Sequence, residues 1–324
     1  MQQLPSYVAG MTWGWVGVRG TWATPAARAS LETMQESLGA TWVALAFAAL
    51  QDTAQSTEIH WRDEPTLTDD ELVGAIEHAH ALGLQVCLKP VVNCADGTWR
   101  AHINFFEVDV PPEPKWSQWW PAYTEFVVHY AEIAERTGCA MFCVGCEMVQ
   151  TDRRADEWRR LISEVRTVYS GLVTYNCDKY QEDHVTWWDA VDVISSSGYY
   201  PVGHWDEQLD RIEAVVRREA KPFLFLEAGC PSREGSQHLP NDWKHPGGPN
   251  PAAQAEWYRE AFTSTEKRDW VGGFLLWDWP AVLPAGDPGQ DTDYTVHRKP
   301  AEELVREFYG RQRGLTGHGV KTTI

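Results

Sequence analysis

Short apolar runs alternate with amphipathic stretches along the whole chain. The runs Val8–Trp13, Trp42–Phe47, Gln85–Val92, Ala140–Glu147, Leu172–Asn176, Val191–Tyr199, Phe223–Ala228 and Gly273–Trp277 read as strands. Between them, Pro25–Leu38, Asp69–Leu82, Trp116–Thr137, Asp156–Tyr169, Asp206–Glu219, Pro251–Thr263 and Pro300–Tyr309 carry helical spacing. The stretch from Asp183 to Ala190 is shorter and shows no clear period. Thr24-Pro25 predicts an N-cap followed by proline at the first helical position, and Thr68 with Glu71 predicts a capping box. Gly39, Gly83, Gly138 and Gly171 each follow a helical pattern just before a strand, where a left-handed C-cap is expected.

The strands are continuous apolar runs rather than alternating ones, as a parallel sheet covered by helices requires. Eight of them alternating with helices predict a closed (β/α)8 TIM barrel rather than an open doubly wound sheet. The open sheet would want a glycine-rich phosphate turn after its first strand, and Gly14-Trp15-Val16-Gly17 does not supply one. No repeat or linker divides the chain. A single catalytic domain is placed at residues 1–312, and the segment after Gly310 reads as poorly ordered, with 313–324 as a disordered tail. Two long connections, Asn93–Lys115 and Gly229–Asn250, follow the third and seventh strands and belong on the carboxyl-end face, where barrel active sites are built.

On that barrel, two strands end in an acid. Met141-Phe142-Cys143-Val144-Gly145-Cys146 runs into Glu147, and Phe223-Leu224-Phe225-Leu226 runs into Glu227. A carboxylate there is costly unless it lies in a cleft or is paired. Either glutamate alone could simply meet an arginine or cap the next helix. Two facing each other across a barrel mouth form the apparatus of glycoside hydrolysis, with one attacking the anomeric carbon and the other protonating the leaving oxygen. Other strand ends carry groups that suit a sugar: Trp13, Asn93, Tyr175-Asn176, Tyr199 and Trp277, with Trp99, Arg100 and His102 in the third loop.

Composition sharpens this picture. The 324 residues include 18 Trp, whose flat apolar rings with an N–H handle suit sugar faces. A net charge of -18 repels nucleic acid and anionic membrane surfaces, so neither is expected as a partner, whereas a neutral ligand is indifferent to it. No apolar run is long enough to span a membrane. Seven cysteines cannot all pair within the chain, and the start Met1-Gln2-Gln3-Leu4-Pro5 shows no secretory pattern, so a cytoplasmic protein with reduced thiols is expected; a chain trimmed of its signal would look the same.

Several stretches resemble glycoside hydrolase family 113, the β-mannanase family among the retaining (β/α)8 hydrolases. They are Leu88-Lys89-Pro90, Gly97-Thr98-Trp99-Arg100, Val144-Gly145-x-Glu147, Leu172-Val173-Thr174-Tyr175, Trp187-Trp188-Asp189-x-x-Asp192, Tyr199-Tyr200-Pro201, Lys221-Pro222 and Leu226-Glu227-Ala228-Gly229. The resemblance implies Glu147 as acid/base, Glu227 as nucleophile, cleavage of β-mannosidic bonds in mannan or manno-oligosaccharides, and no cofactor. Cys146 stands where many relatives of the wider clan carry an asparagine for the sugar 2-hydroxyl, a feature family 113 shares. Cys230-Pro231-Ser232 departs from the family's Gly-Tyr-Arg-Ser tendency, which bears on subsite specificity.

Asn93, Tyr199 and Trp277 are expected to orient the sugar and the nucleophile, and Trp13, Trp99, Arg100 and His102 to help bind substrate. No metal is expected: strand alternation sends Cys143 and Cys146 to opposite faces, and His238, Asp242 and His245 read as a solvated loop or lid. The alternatives are the same machinery on another β-linked sugar, or a carbohydrate-binding barrel without catalysis. Endo or exo action and oligomeric state are not legible.

Overall fold

The computed structural model describes residues 4, 6–15 and 17–316. Eight parallel strands close into one barrel in chain order: β1 (Val8–Trp13), β2 (Trp42–Gln51), β3 (Gln85–Cys94), β4 (Met141–Cys146), β5 (Leu172–Cys177), β6 (Val193–Ser197), β7 (Phe223–Glu227) and β8 (Val271–Trp279). Around it run α1 (Pro25–Leu38), α2 (Asp69–Ala81), α3 (Trp116–Thr137), α4 (Ala155–Val168), α5 (Trp205–Glu219), α6 (Pro251–Thr265) and α7 (Pro300–Thr316). Between β5 and β6 a single 3-10 turn, Trp188–Ala190, replaces a helix, as the unclear pattern there foreshadows. Among the described residues no helix is long and apolar enough to cross a membrane, and all seven cysteines are free and buried.

The local signals act as read at most positions. The Thr24 side chain accepts from the amide of Ala27, and Thr68 and Glu71 form the reciprocal capping box. Gly39, Gly83 and Gly138 take left-handed φ of 61°, 78° and 73°. Gly171 is different: α4 stops at Val168, and the missing Cβ of Gly171 leaves room for the Tyr169 hydroxyl. The tail also differs from expectation. Helix α7 continues to Thr316, with Arg311 paired to Glu266 at 2.9 Å, so four more residues are structured than the composition implied; residues 317–324 lie outside the described residues.

Side-chain parity divides the barrel into two cores. Val8, Trp42, Cys87, Met141, Leu172 and Val193 pack inside it, while a larger cluster fills the space under the helices. Following the inward phase upward, apolar residues give way to polar ones: Cys87 to Lys89, Leu172 to Thr174 and Asn176, and Val193 to Ser195 and Ser197. The carboxyl end of the barrel is therefore lined with hydrogen-bonding groups before any loop contributes.

Two bulges break that alternation where the acids emerge. Cys143 pairs with Thr174 and Cys146 with Asn176, three residues against two; Phe225 pairs with Ser196 and Glu227 with Ser197, two against one. In β4 the extra residue turns both Val144 and Gly145 outward. A Cβ on Gly145 would lie 2.7 Å from Trp158 and 3.0 Å from the Tyr123 hydroxyl. Cys143 and Cys146 consequently share the barrel interior, which corrects the opposite-face reading drawn from regular alternation. Gly145→Ala is expected to destabilise the fold by about 1–3 kcal/mol through overpacking, seen as a lower urea midpoint; an unchanged midpoint would contradict the bulge.

Candidate active site

Glu147 follows β4 in a left-handed conformation, φ 51°, with its amide donating to the Asn176 carbonyl at 2.7 Å. Its carboxylate is 8% exposed together with its backbone and accepts from the Arg100 guanidinium at 2.7 Å and from the Ser197 hydroxyl at 2.7 Å. Glu227, the last residue of β7, is buried at 4% exposure. Its Oε1 accepts from Lys89 Nζ at 2.5 Å and from the Cys146 thiol at 3.3 Å, and its Oε2 accepts from the Tyr199 hydroxyl at 3.0 Å.

The two glutamates are joined by two hydrogen-bonded paths. On one, Lys89 also donates to Asn176 Oδ1 at 3.0 Å, Asn176 donates to Ser197 Oγ at 2.9 Å, and Ser197 reaches Glu147. On the other, Arg100 donates to both Cys146 Sγ, at 3.2 Å, and Glu147. Such a closed network leaves few rotamers open and fixes both carboxylates relative to each other.

Its electrostatics follow from burial and two cations. Burial pushes the Glu227 carboxyl up, but the charges of Lys89 and Arg100, with hydrogen bonds from Lys89 and Cys146, outweigh it and hold the group below its ordinary value. Burial opposes the charge on Lys89, yet the charge of Glu227 and the hydrogen bond to it raise its pKa and keep it an ammonium. Burial drives the Cys146 thiol well up, so it stays protonated, a donor to Glu227 rather than a nucleophile. Tyr199 is likewise raised, by burial and by Glu227.

One ligand atom each from Cys146, Glu147 and Glu227 lie within 4.8 Å of one another. That spacing could suit a metal ion, but Lys89 and Arg100 already donate to the two glutamates and the thiol keeps its proton. The donor set fits two fixed carboxylates better than a cation. His238, Asp242 and His245 do not gather into such a group among the described residues.

The remaining sequence-predicted residues divide. Arg100 turns inward from the third loop, where Asn93 accepts from it at 3.1 Å. Trp99, 42% exposed, and the exposed His102 stand edge to face at 5.9 Å beside it, outside the network. Trp277 is half-buried at the end of β8, its ring 5.3 Å from that of Trp15. Trp13 does not belong to the mouth. Counting by two from Val8 turns it outward, where it packs on Trp22 at 4.9 Å with 1% exposure; Trp15, two residues on, is the β1-end indole beside Trp277. Lys89, Cys146 and Ser197 were missed as site residues, and Asn176, expected to suit a sugar, instead links Lys89 to Ser197. Lys89 carried a usable signal, since a lysine inside the apolar run Val86–Val92 must be paired if it is buried.

Fold and site together define a (β/α)8 barrel of the carbohydrate-hydrolase type. Glycoside Hydrolase Family 113 matches residues 11–299, and the chain belongs to that family. A structure and a complex structure of GH113 β-1,4-mannanase are each 54% identical, with a TM-score of 0.93, 94% of this chain covered and 99% of that one. The GH113 β-mannanase AaManA from Alicyclobacillus acidocaldarius, in complex with ManMIm, is 44% identical, with a TM-score of 0.92 and 95% and 98% covered. No curated protein matches the sequence.

Proposed function

We propose that this enzyme hydrolyses β-1,4-mannosidic bonds with retention, Glu227 acting as nucleophile and Glu147 as acid/base. The observation that carries the reading is the pair of buried carboxylates at the ends of β4 and β7, with oxygens within 4.8 Å of each other. Retaining pairs stand ~5–5.5 Å apart, whereas inverting pairs leave about 6.5–9.5 Å for a water. The substrate class is supported by two GH113 mannanases that share 44–54% of their residues with nearly the whole chain.

In the first step Glu227 attacks the anomeric carbon, the glycosidic C–O bond breaks, and Glu147 passes its proton to the departing oxygen. In the second, Glu147 takes a proton from water, the water oxygen attacks the same carbon, and the ester to Glu227 breaks. A nucleophile held below the ordinary carboxylate range is anionic at neutral pH, and Lys89 favours its departure as a carboxylate. The two half-buried indoles Trp15 and Trp277 offer apolar faces at the mouth for a sugar ring.

The test is anomeric and kinetic. Products followed by NMR should appear first as the β-anomer; an α-anomer appearing first would end the retaining reading. Glu147→Ala is expected to lower kcat/KM on mannopentaose by about 10²–10⁴-fold, the range of general acid catalysis. On a dinitrophenyl β-mannobioside, whose leaving group needs no proton, the same variant should lose little. Binding of mannopentaose without turnover by the wild type would identify a sugar-binding barrel instead.

A further inference from the structure

We propose that Tyr175 and Asp152 are positioning residues for Glu147, a buried phenol–carboxyl brace that fixes the backbone from which that glutamate projects. The inference rests on the assignment of Glu147 as proton donor.

The left-handed φ of 51° at Glu147 is a conformation that residues other than glycine rarely adopt, and it persists only where neighbouring contacts over-determine it. Two amides provide those contacts. Glu147 N–H donates to the Asn176 carbonyl, and Met148 N–H donates to the Tyr175 hydroxyl at 3.0 Å. The hydroxyl can accept because its own proton is committed to Asp152 Oδ1. Tyr175 thus holds both ends of the segment 148–152 from one oxygen atom.

Everything around this oxygen is fixed. The Tyr175 ring lies 5.0 Å from Trp158 and 4.9 Å from Trp187, fully buried. Trp187 donates to the Asp152 carbonyl at 2.9 Å, Trp158 donates to the Thr151 carbonyl at 3.0 Å, and the Thr151 amide returns to the Met148 carbonyl at 2.6 Å. Asp152 is 3% exposed, and its second oxygen, Oδ2, is buried with no partner. A buried carboxyl left half-satisfied is a poor way to stabilise a loop, since an unmet buried acceptor keeps its desolvation cost. What this carboxyl does supply is an oxygen that takes the phenol's proton and so turns the phenol's lone pair toward Met148.

A positioning role and a merely structural one differ in substrate dependence. With Tyr175→Phe the ring stays packed and only the hydroxyl goes. We expect kcat/KM on mannopentaose to fall about tenfold or more, while kcat/KM on dinitrophenyl β-mannobioside changes less than about twofold, because that first step needs no proton from Glu147. Asp152→Asn, which keeps an acceptor for the phenol, should retain activity on mannopentaose to within about threefold. Equal losses on both substrates, or a lowered Tm with activity on mannopentaose intact, would overturn the brace. Glu147→Ala run alongside separates the two readings: if it shows no leaving-group dependence, the proton-donor assignment fails, whereas a normal Glu147→Ala with an indifferent Tyr175→Phe removes the brace alone.

Discussion

Glu227→Gly is expected to lose hydrolysis of manno-oligosaccharides by roughly 10⁵-fold or more, the scale on which deleting a catalytic nucleophile is felt. Sodium azide should then restore cleavage of an activated aryl mannobioside, with the α-mannobiosyl azide as the product. The stereochemistry follows from the site. Removing the side chain opens a cavity on the face from which Glu227 would attack, bordered by the donors that held it: Lys89, the Cys146 thiol and Tyr199. A small anion is attracted there by the Lys89 and Arg100 charges, attacks once, and cannot be displaced by water with Glu147's help as the enzyme ester would be. Azide supplied to Glu147→Ala should instead give the β-azide, because it enters after the covalent intermediate has formed. Exchanged products would reverse the two roles. Azide-independent activity in Glu227→Gly at the wild-type level would remove Glu227 from the reaction altogether.

How much of this was legible depended on which physical rule governed each position. The strand ends could be read because an apolar run that stops at a glutamate is unusual, and because barrel topology puts all such ends on one face. The bulges could not. Nothing in Cys143-Val144-Gly145-Cys146 announces a three-against-two register, and only the outward packing of Gly145 against Trp158, Tyr123 and Tyr175 shows why the chain accepts it. Trp13 fails for a related reason: indoles two positions apart share a face of a regular strand, but Trp15 lies past the end of β1, beyond Gly14 with φ 81°, where parity no longer decides direction. The polar paths between the glutamates join β3, β5 and β6 at separations of 21 to 87 residues, so no local pattern could assemble them. Lys89 was the exception, visible as a cation stranded among valines and leucine.

Lys89→Met should be the most damaging single change to stability and should also move the pH profile. The side chain is fully buried and methionine nearly fills its volume, so the effect is electrostatic rather than a cavity. Removing one member of a buried pair costs about 3–5 kcal/mol, because the partner is left buried with its charge poorly compensated. The sign with pH follows from Glu227. In the wild type its carboxyl lies below the ordinary value, so its contribution to stability is complete above the unfolded-chain pKa, near 4.3, and is lost as pH falls through the lower folded value. Without Lys89 the burial that now loses to the two cations faces Arg100 alone, and the carboxyl rises. The stability gap between variant and wild type, measured by urea unfolding, should therefore narrow on acidification. The acid limb of kcat/KM, which reports ionisation of the free enzyme's nucleophile, should shift to higher pH. A further consequence distinguishes the two chemical steps. Once Glu227 is esterified its charge is gone, and the Lys89 ammonium favours the step that restores the carboxylate. Deglycosylation should slow more than glycosylation, and a rapid-quench experiment with dinitrophenyl β-mannobioside should show a burst of dinitrophenol larger than in the wild type. An acid limb unmoved from the wild-type position, with no enlarged burst, would mean that the Lys89–Glu227 contact only packs the carboxyl end of the barrel.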